Sequence, residues 1–232
     1  MVEIDPADDG PFHMINLIKF REKADYRDGR ETDLTGREAD ALYAPLEFLK
    51  QIGIVRYPSR ALFFQMTQDE AFQARAIHKE AGVEKSLVIV AHLQDGSSPP
   101  VPDEIPNPTT ADDPAVAITH LLAYKETADY GPESDEPERS GREAMALYQQ
   151  AASGIALEQG VGPIAWFDIE GVFIGDGREW DEFRINVFPS HAAFNVVLAD
   201  PTRLAGQVHR QAAIEDTHTT ANRIIINTLA ED

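Results

Sequence analysis

The residues best suited to chemistry sit in the second half of the chain. The stretch PIAWFDIEGVFIGDGREWDEFRI (163–185) has two runs rich in aromatic and β-branched residues around Gly175-Asp176-Gly177. That pattern predicts a β-hairpin. Successive strand residues point to opposite faces. Trp166, Asp168 and Glu170 therefore share one face of the first run, and Ala165, Phe167 and Ile169 the other. On the second run Glu182, Arg184 and Asn186 oppose Phe183, Ile185 and Val187. A strand predicted over 116–124 puts His120 on a face otherwise made of Val116, Ile118, Leu122 and Tyr124. Histidine and desolvated carboxylates are the groups most readily tuned for acid–base work near neutral pH. His120, Asp168 and Arg184 are thus the expected catalytic set, with Trp166, Glu182 and Asn186 as ligand contacts. Asn16 takes the place of His120 in the first half. A sheet with one wet face alternates in the same way, so alternation alone leaves a purely structural reading open.

A second group lies elsewhere. Tyr130 follows the 116–124 strand and His209 falls near the end of a predicted helix, as Tyr26 and His78 do in the first half. Tyr130 and His209 are further ligand-contact candidates, against the simpler expectation of a boundary histidine bonded locally. Arg37 and Arg142 fall in the first turn of a helix, where a cation opposes the helix dipole and needs an acidic partner or an anionic ligand. The sequence has no GxGxxG, P-loop, GxSxG or HExxH motif, and its histidines lack metal-ligand spacing. No cofactor and no metal is expected.

These residues are carried by a repeat. LIKFREKADY (17–26) matches LLAYKETADY (121–130), and GREADALY (36–43) matches GREAMALY (141–148). The segment 57–85 matches 188–216, aligning Pro58 with Pro189, Ser59 with Ser190, Asp69 with Asp200 and His78 with His209. Three collinear blocks predict a tandem duplication. The offset rises from 105 (Gly36 to Gly141) to 131 (Pro58 to Pro189), so about 26 residues, those of the hairpin, have no counterpart in the first copy. Thr35 with Glu38, and Ser140 with Glu143, predict capping boxes at the start of helices over 36–52 and 141–157. The second helix of each copy is expected to break at Asp69 and at Asp200-Pro201. Final strands are predicted over 87–93 and 223–229. The acidic, proline-rich segment 95–114 reads as an extended, exposed linker between domains 1–94 and 115–232.

With 20 Lys and Arg against 40 Asp and Glu, the net charge is −20. Such a field repels nucleic acid and anionic membrane surfaces. Without cysteine, disulfides and thiolate chemistry are excluded. The acidic start lacks the features of a signal peptide and no apolar run suits a membrane helix, so a cytoplasmic protein is expected.

The second copy reads β-α-β-β-α-β, the ferredoxin-like order. The 16–20 strand, the ADY loop, the GREA helix, Trp180-Asp181-Glu182-Phe183, the Pro-Ser helix start and His209-Arg210 resemble an uncharacterised family of the dimeric α/β-barrel superfamily, of the domain-of-unknown-function 1330 type. The resemblance covers nearly all of the second copy and about three quarters of the first. It implies an α+β protein of two tandem ferredoxin-like domains, the first lacking most of the strand 2–strand 3 hairpin. It also implies a barrel, with the mixed hairpin face turned into it and the apolar face packed on the helices. Arg184 is then expected to pair with Asp168. The superfamily includes cofactor-free monooxygenases, small dehydratases and haem-degrading enzymes. The expected function is small-molecule binding, catalytic if the acid–base set acts on its ligand, with a non-catalytic assembly module as the alternative. The truncated first copy leaves an open sheet edge, from which a homodimer or a shielding linker is expected.

Overall fold

A computed structural model describes residues 9–43, 52–94, 102 and 104–223, except for the side chains of 163 and 164. In chain order the elements are β1 (Phe12–Phe20), α1 (Gly36–Tyr43), β2 (Ile52–Tyr57), α2 (Arg60–Gln68), α3 (Glu70–Gly82), β3 (Val83–Leu93), β4 (Val116–Tyr124), α4 (Gly141–Glu158), β5 (Gly162–Ile174), β6 (Glu182–Phe188), α5 (His191–Ala199), α6 (Pro201–Ala213) and β7 (Ile214–Asn222). The protein is α+β with antiparallel strands. No helix among the described residues is long and apolar enough to cross a membrane. Two compact units form, one from Met1–Leu93 with Ile169–Glu179, the other from Gln94–Asp168 with Trp180–Asp232.

In the second unit the strands lie in the order β5-β6-β4-β7. Numbered along the chain this is second, third, first, fourth, the ferredoxin-like arrangement. Val116, Ile118 and Phe188 pack with Val161 and Val197, against Ile155 and Phe194. Leu122 packs with Ala144, Met145 and Ala213. The even-numbered residues of β4 thus face the helices. Ser140 and Glu143 form a full capping box on α4, and Asp200 caps α6 with Pro201 in its first turn. Ser190 caps α5, and Asp113 adds a second cap by accepting from the backbone N–H of His191 at 2.7 Å and of Ala192 at 3.0 Å. Those N–H groups hold the Asp113 carboxyl below its usual range.

The first unit has the order β2-β1-β3, with residues 169–174 of β5 next to β3. β2 pairs with β1 as β6 pairs with β4, so the third strand of the repeat is present in this unit and only the second lacks a described counterpart. The added segment is held firmly. Glu170 accepts from His92 Nε2 at 2.6 Å and from Arg60, and Phe173 sets its ring edge-on to Phe63 at 5.8 Å. Phe12, Met14, Phe63 and Val88 form the core. Asp9 caps α2 through the N–H of Arg60, as Asp113 caps α5.

Three expectations meet the described residues as follows. Of the expected 223–229 only Arg223 is described, outside β7, and 224–229 lie outside the described residues; the last described strand of the second unit is Ile214–Asn222, a strand that was not expected. Its polar sequence hid it, because β7 is an outer strand whose edge needs no apolar run. Residues 104–113 of the expected linker are mostly exposed and are bonded to the second unit: Ser190 Oγ donates to Asn107 O at 2.8 Å, and Asn107 Nδ2 donates to Gln159 Oε1 at 2.7 Å. The first helix of the first unit is described only to Tyr43, so residues 44–51 of the helix expected over 36–52 lie outside the described residues.

The helix start of each unit is fixed by a close backbone crossing. Gly141 N donates to Lys125 O at 3.0 Å and Lys125 N to Ala213 O at 2.9 Å; Gly36, Arg21 and Gly82 repeat this at 3.2 and 2.9 Å. A Cβ on Gly141 would lie 2.5 Å from both Ala213 O and Lys125 O. Backbone cannot yield as a side chain can, so Gly141→Ala is expected to cost about 1–3 kcal/mol. A denaturation midpoint unchanged from the parent would show that the crossing relaxes freely.

Candidate functional site

Trp166, Asp168, Glu182, Arg184 and Asn186 gather in the second unit, but on the opposite face from the one expected, while Glu170 belongs to the first unit. Register makes one row across the sheet: Trp166 on β5 pairs with Arg184 on β6, Arg184 with His120 on β4, and His120 with Thr219 on β7. The next row brings Asp168, Glu182, Leu122 and Thr217 together. Since Leu122 faces the helices, so do Glu182 and Arg184, and α4 reaches them through Arg142. The mixed face therefore lies against the helices rather than inside a barrel. Phe167, Phe183 and Leu121, on the other face, are also fully buried. Both faces are core, so polarity along the strands carried no information about which way each pointed.

Glu182 is the centre of the site, 1% exposed. It accepts from Arg184 Nε, from Tyr124 Oη at 2.8 Å and from Arg142 at 3.3 Å. Arg184 donates also to Tyr124 Oη at 3.0 Å, and its guanidinium lies 4.4 Å from the centre of the Trp166 ring. Burial pushes the Tyr124 hydroxyl well above its ordinary pKa, so it stays a donor. Trp166 Nε1 donates to Asn186 Oδ1 at 3.0 Å, holding the indole in place. Outward from this centre, Arg142 reaches Asp168 at 3.1 Å, and both side chains are about half exposed. Gln94 Nε2 also donates to Asp168, at 3.1 Å.

The expected Arg184–Asp168 pair is thus replaced by two pairs, Arg184–Glu182 and Arg142–Asp168. Arg184 and Glu182 are two apart on one strand face, whereas Asp168 stands opposite Glu182 and is only a diagonal neighbour of Arg184. Arg142, flagged only as a cation in need of an acid, is the residue that sequence reasoning did not assign to the site. The signal was present: α4 starts beside Lys125, one residue beyond β4, so its first turn overhangs that end of the sheet.

His120 is held neutral. Burial first, then the charges of Arg210 and Arg184, push its pKa down to about 4. Its Nδ1 lies 3.1 Å from Thr219 Oγ1. The remaining candidates are engaged elsewhere. Tyr130 Oη and His209 Nδ1 bond to each other at 2.8 Å, with Arg139 donating to the same hydroxyl at 3.1 Å. Tyr26 and His78 do the same in the first unit at 2.7 Å. These pairs tie the loop after the first strand to the last helix. Asn16 turns its amide to the backbone, donating to Met14 O at 3.2 Å and Gly53 O at 3.5 Å. No group of three or more His, Asp or Glu suited to a metal occurs among the described residues.

No protein-family model matches the chain, and no curated protein does. Among solved structures, a protein of unknown function from Rhodopseudomonas palustris is 25% identical, over 50% of this chain and 85% of that one, with a TM-score of 0.45. A candidate monooxygenase from Fusobacterium nucleatum is 9% identical, over 91% of each chain, with a TM-score of 0.48. Another from Lactobacillus acidophilus is 11% identical, over 91% of this chain and 92% of that one, with a TM-score of 0.41.

Two outcomes follow from the network. Arg184→Met leaves a buried carboxylate without its main partner and is expected to cost about 3–5 kcal/mol in a denaturation titration; a parent-like melt would show Glu182 to be satisfied without it. His120 titrates near 6.5 when unfolded and near 4 when folded. The unfolded state therefore takes up its proton first, and the stability from neutral His120 is lost as pH falls from about 6.5 towards 4. His120→Gln should flatten that part of the stability–pH curve, and an unchanged curve would count against the buried neutral imidazole.

Proposed function

We propose that the second unit binds a small uncharged molecule on the helix-facing side of its sheet, along the row Trp166–Arg184–His120. The observation that carries this reading is charge balance. Arg184 and Arg142 are matched by Glu182 and Asp168 within the site, so a charged ligand would need to break an existing pair. What remains for a guest is an aromatic wall at Trp166 and a neutral imidazole at His120, with the charge of Arg210 acting on that imidazole from α6. A hydroxyl or carbonyl is the group such a site recognises. In the catalytic form of the proposal His120 takes a proton from the bound hydroxyl, while Arg184 and Tyr124 steady the developing negative charge. In the alternative, the same row only binds. No organic cofactor enters either version.

The same reading includes descent from two copies of one ferredoxin-like domain, of the domain-of-unknown-function 1330 type. Paired capping by Asp9 and Asp113, the paired glycine crossings and the paired Tyr–His bonds support it. It also includes self-association as a homodimer, supported by the outer edge of β2, against which no described strand lies. A monomeric mass in sedimentation would remove that part.

The ligand test uses tryptophan emission, since the chain has 2 Trp residues. Titration with catechol and with hydroquinone should give saturable quenching that His120→Ala weakens at least about tenfold, the loss of roughly 1.4 kcal/mol. Absence of saturation with either probe, in parent protein of intact fold, would overturn the proposal. Oxygen uptake or turnover of the bound probe separates the catalytic version from binding alone.

A further inference from the structure

Helix α6 turns one face to α4 and the sheet. The Arg203 guanidinium lies 5.6 Å from the centre of the Tyr148 ring, and the charge of Arg210 acts on His120. Gly206 packs on α4 so closely that a Cβ there would fall 2.7 Å from Ala151 Cβ and 3.8 Å from Tyr148 Cδ2. Gln207 follows Arg203 by one turn and precedes Arg210 by one, so helical spacing puts it on this same inner face. On α4, Gln149 follows Tyr148 and sets its amide oxygen against the Arg184 guanidinium. Gln207 is therefore level with the Arg184–His120 row. Its Oε1 is out of reach of solvent and has no hydrogen-bond partner among the described residues. An acceptor buried and left unpaired is costly, and its presence in a native fold calls for a reason. The first copy has Ala76 at this place and Asn16 in place of His120, so the acceptor accompanies the histidine.

We propose that Gln207 is a specificity residue of the His120 row, and that the ligand carries two hydrogen-bond donors, a hydroxyl for His120 and a second donor for Gln207 Oε1. The inference rests on the reading of that row as a binding site. It narrows the ligand from any hydroxyl or carbonyl compound to a dihydroxy compound or a hydroxy-amide. An amide oxygen accepts and cannot donate, so a ketone or an ether finds no partner there. A compound with a single hydroxyl satisfies one point and leaves the other unmade. A site with a buried polar group discriminates against the analogue that fails to pair it, and does so more sharply than an apolar pocket discriminates by size. Gln207 is also uncharged, so a contact to it leaves the pairs Arg184–Glu182 and Arg142–Asp168 in place. Arg184 gives donors to Glu182, Tyr124 and Gln149, and Gln207 supplies the complementary acceptor from the next helix.

The test compares catechol and hydroquinone with phenol in tryptophan quenching of the parent protein. The better of the two dihydroxy probes should bind at least about tenfold more tightly than phenol, the factor expected for pairing one buried acceptor. Saturation by phenol with equal affinity would overturn the inference while leaving the row as a site for single hydroxyls. Absence of saturation with all three probes would overturn the row itself, and the inference with it. Gln207→Met keeps the side-chain length and removes the acceptor. In that variant the three probes should bind alike, and a surviving preference for the dihydroxy probe would refute the role of Gln207. The same variant should melt at or above the parent, since no bond within the protein is lost. A lower melting temperature would show that the protein itself satisfies Oε1, and would overturn the inference as well.

Discussion

The second unit is organised around one buried carboxylate. Glu182 is nearly free of solvent contact, and in that setting an anion must be surrounded by donors or lose its charge. Arg184, Tyr124 and Arg142 provide them, and each is drawn from a different element: β6, the end of β4 and the first turn of α4. Satisfying one group therefore fixes the relation of helix to sheet. It also sets what the neighbours can be. Arg184 places its guanidinium over the Trp166 ring, Trp166 bonds Asn186, and the guanidinium charge helps to keep His120 neutral. The pairing of Arg184 and Arg142 with Glu182 and Asp168 is a consequence of that satisfaction.

Much of this was legible in the sequence, and the misses have physical causes. Helix starts were marked by side chains that bond their own backbone, as with Ser140 and Glu143, and such local chemistry does not depend on the fold around it. The helix breaks at Asp69 and Asp200 were legible for the same reason. Facing was not. Period-two alternation says which residues share a face, and Trp166, Arg184 and His120 do share one; it says nothing of which face is helix-covered when Phe167 and Phe183 are buried on the other. The partner of Arg184 was also missed, because a pair two residues apart competes with one across the hairpin on side-chain reach alone. Asp9 and Asp113 stood in plain view as Asp-Asp pairs shortly before each first strand, but their helices begin 51 residues or more further on, and sequence proximity gives no hint of such a bond.

The two units solve similar backbone problems with different side chains. Each crosses a helix start against the loop leaving its first strand, and each bonds a tyrosine to a histidine. The chemistry has diverged around these shared supports. Phe20 stands where the other copy has Tyr124, Gly53 where it has Arg184, and Asp40 where it has Met145. Functional groups have moved while the backbone contacts stayed.

The first unit draws its last segment, 169–179, from far down the chain. During synthesis its first 93 residues leave the ribosome while that segment is still unmade, with 75 residues (94 to 168) in between. At about 5–20 residues per second the delay is on the order of 4–15 s. For that interval β3 waits without Phe173 to cover Phe63 and without Glu170 to gather Arg60 and His92. The N-terminal half of this protein is thus completed late, and a nascent chain stalled before residue 169 exposes a half-made sheet to any chaperone or strand that reaches it first.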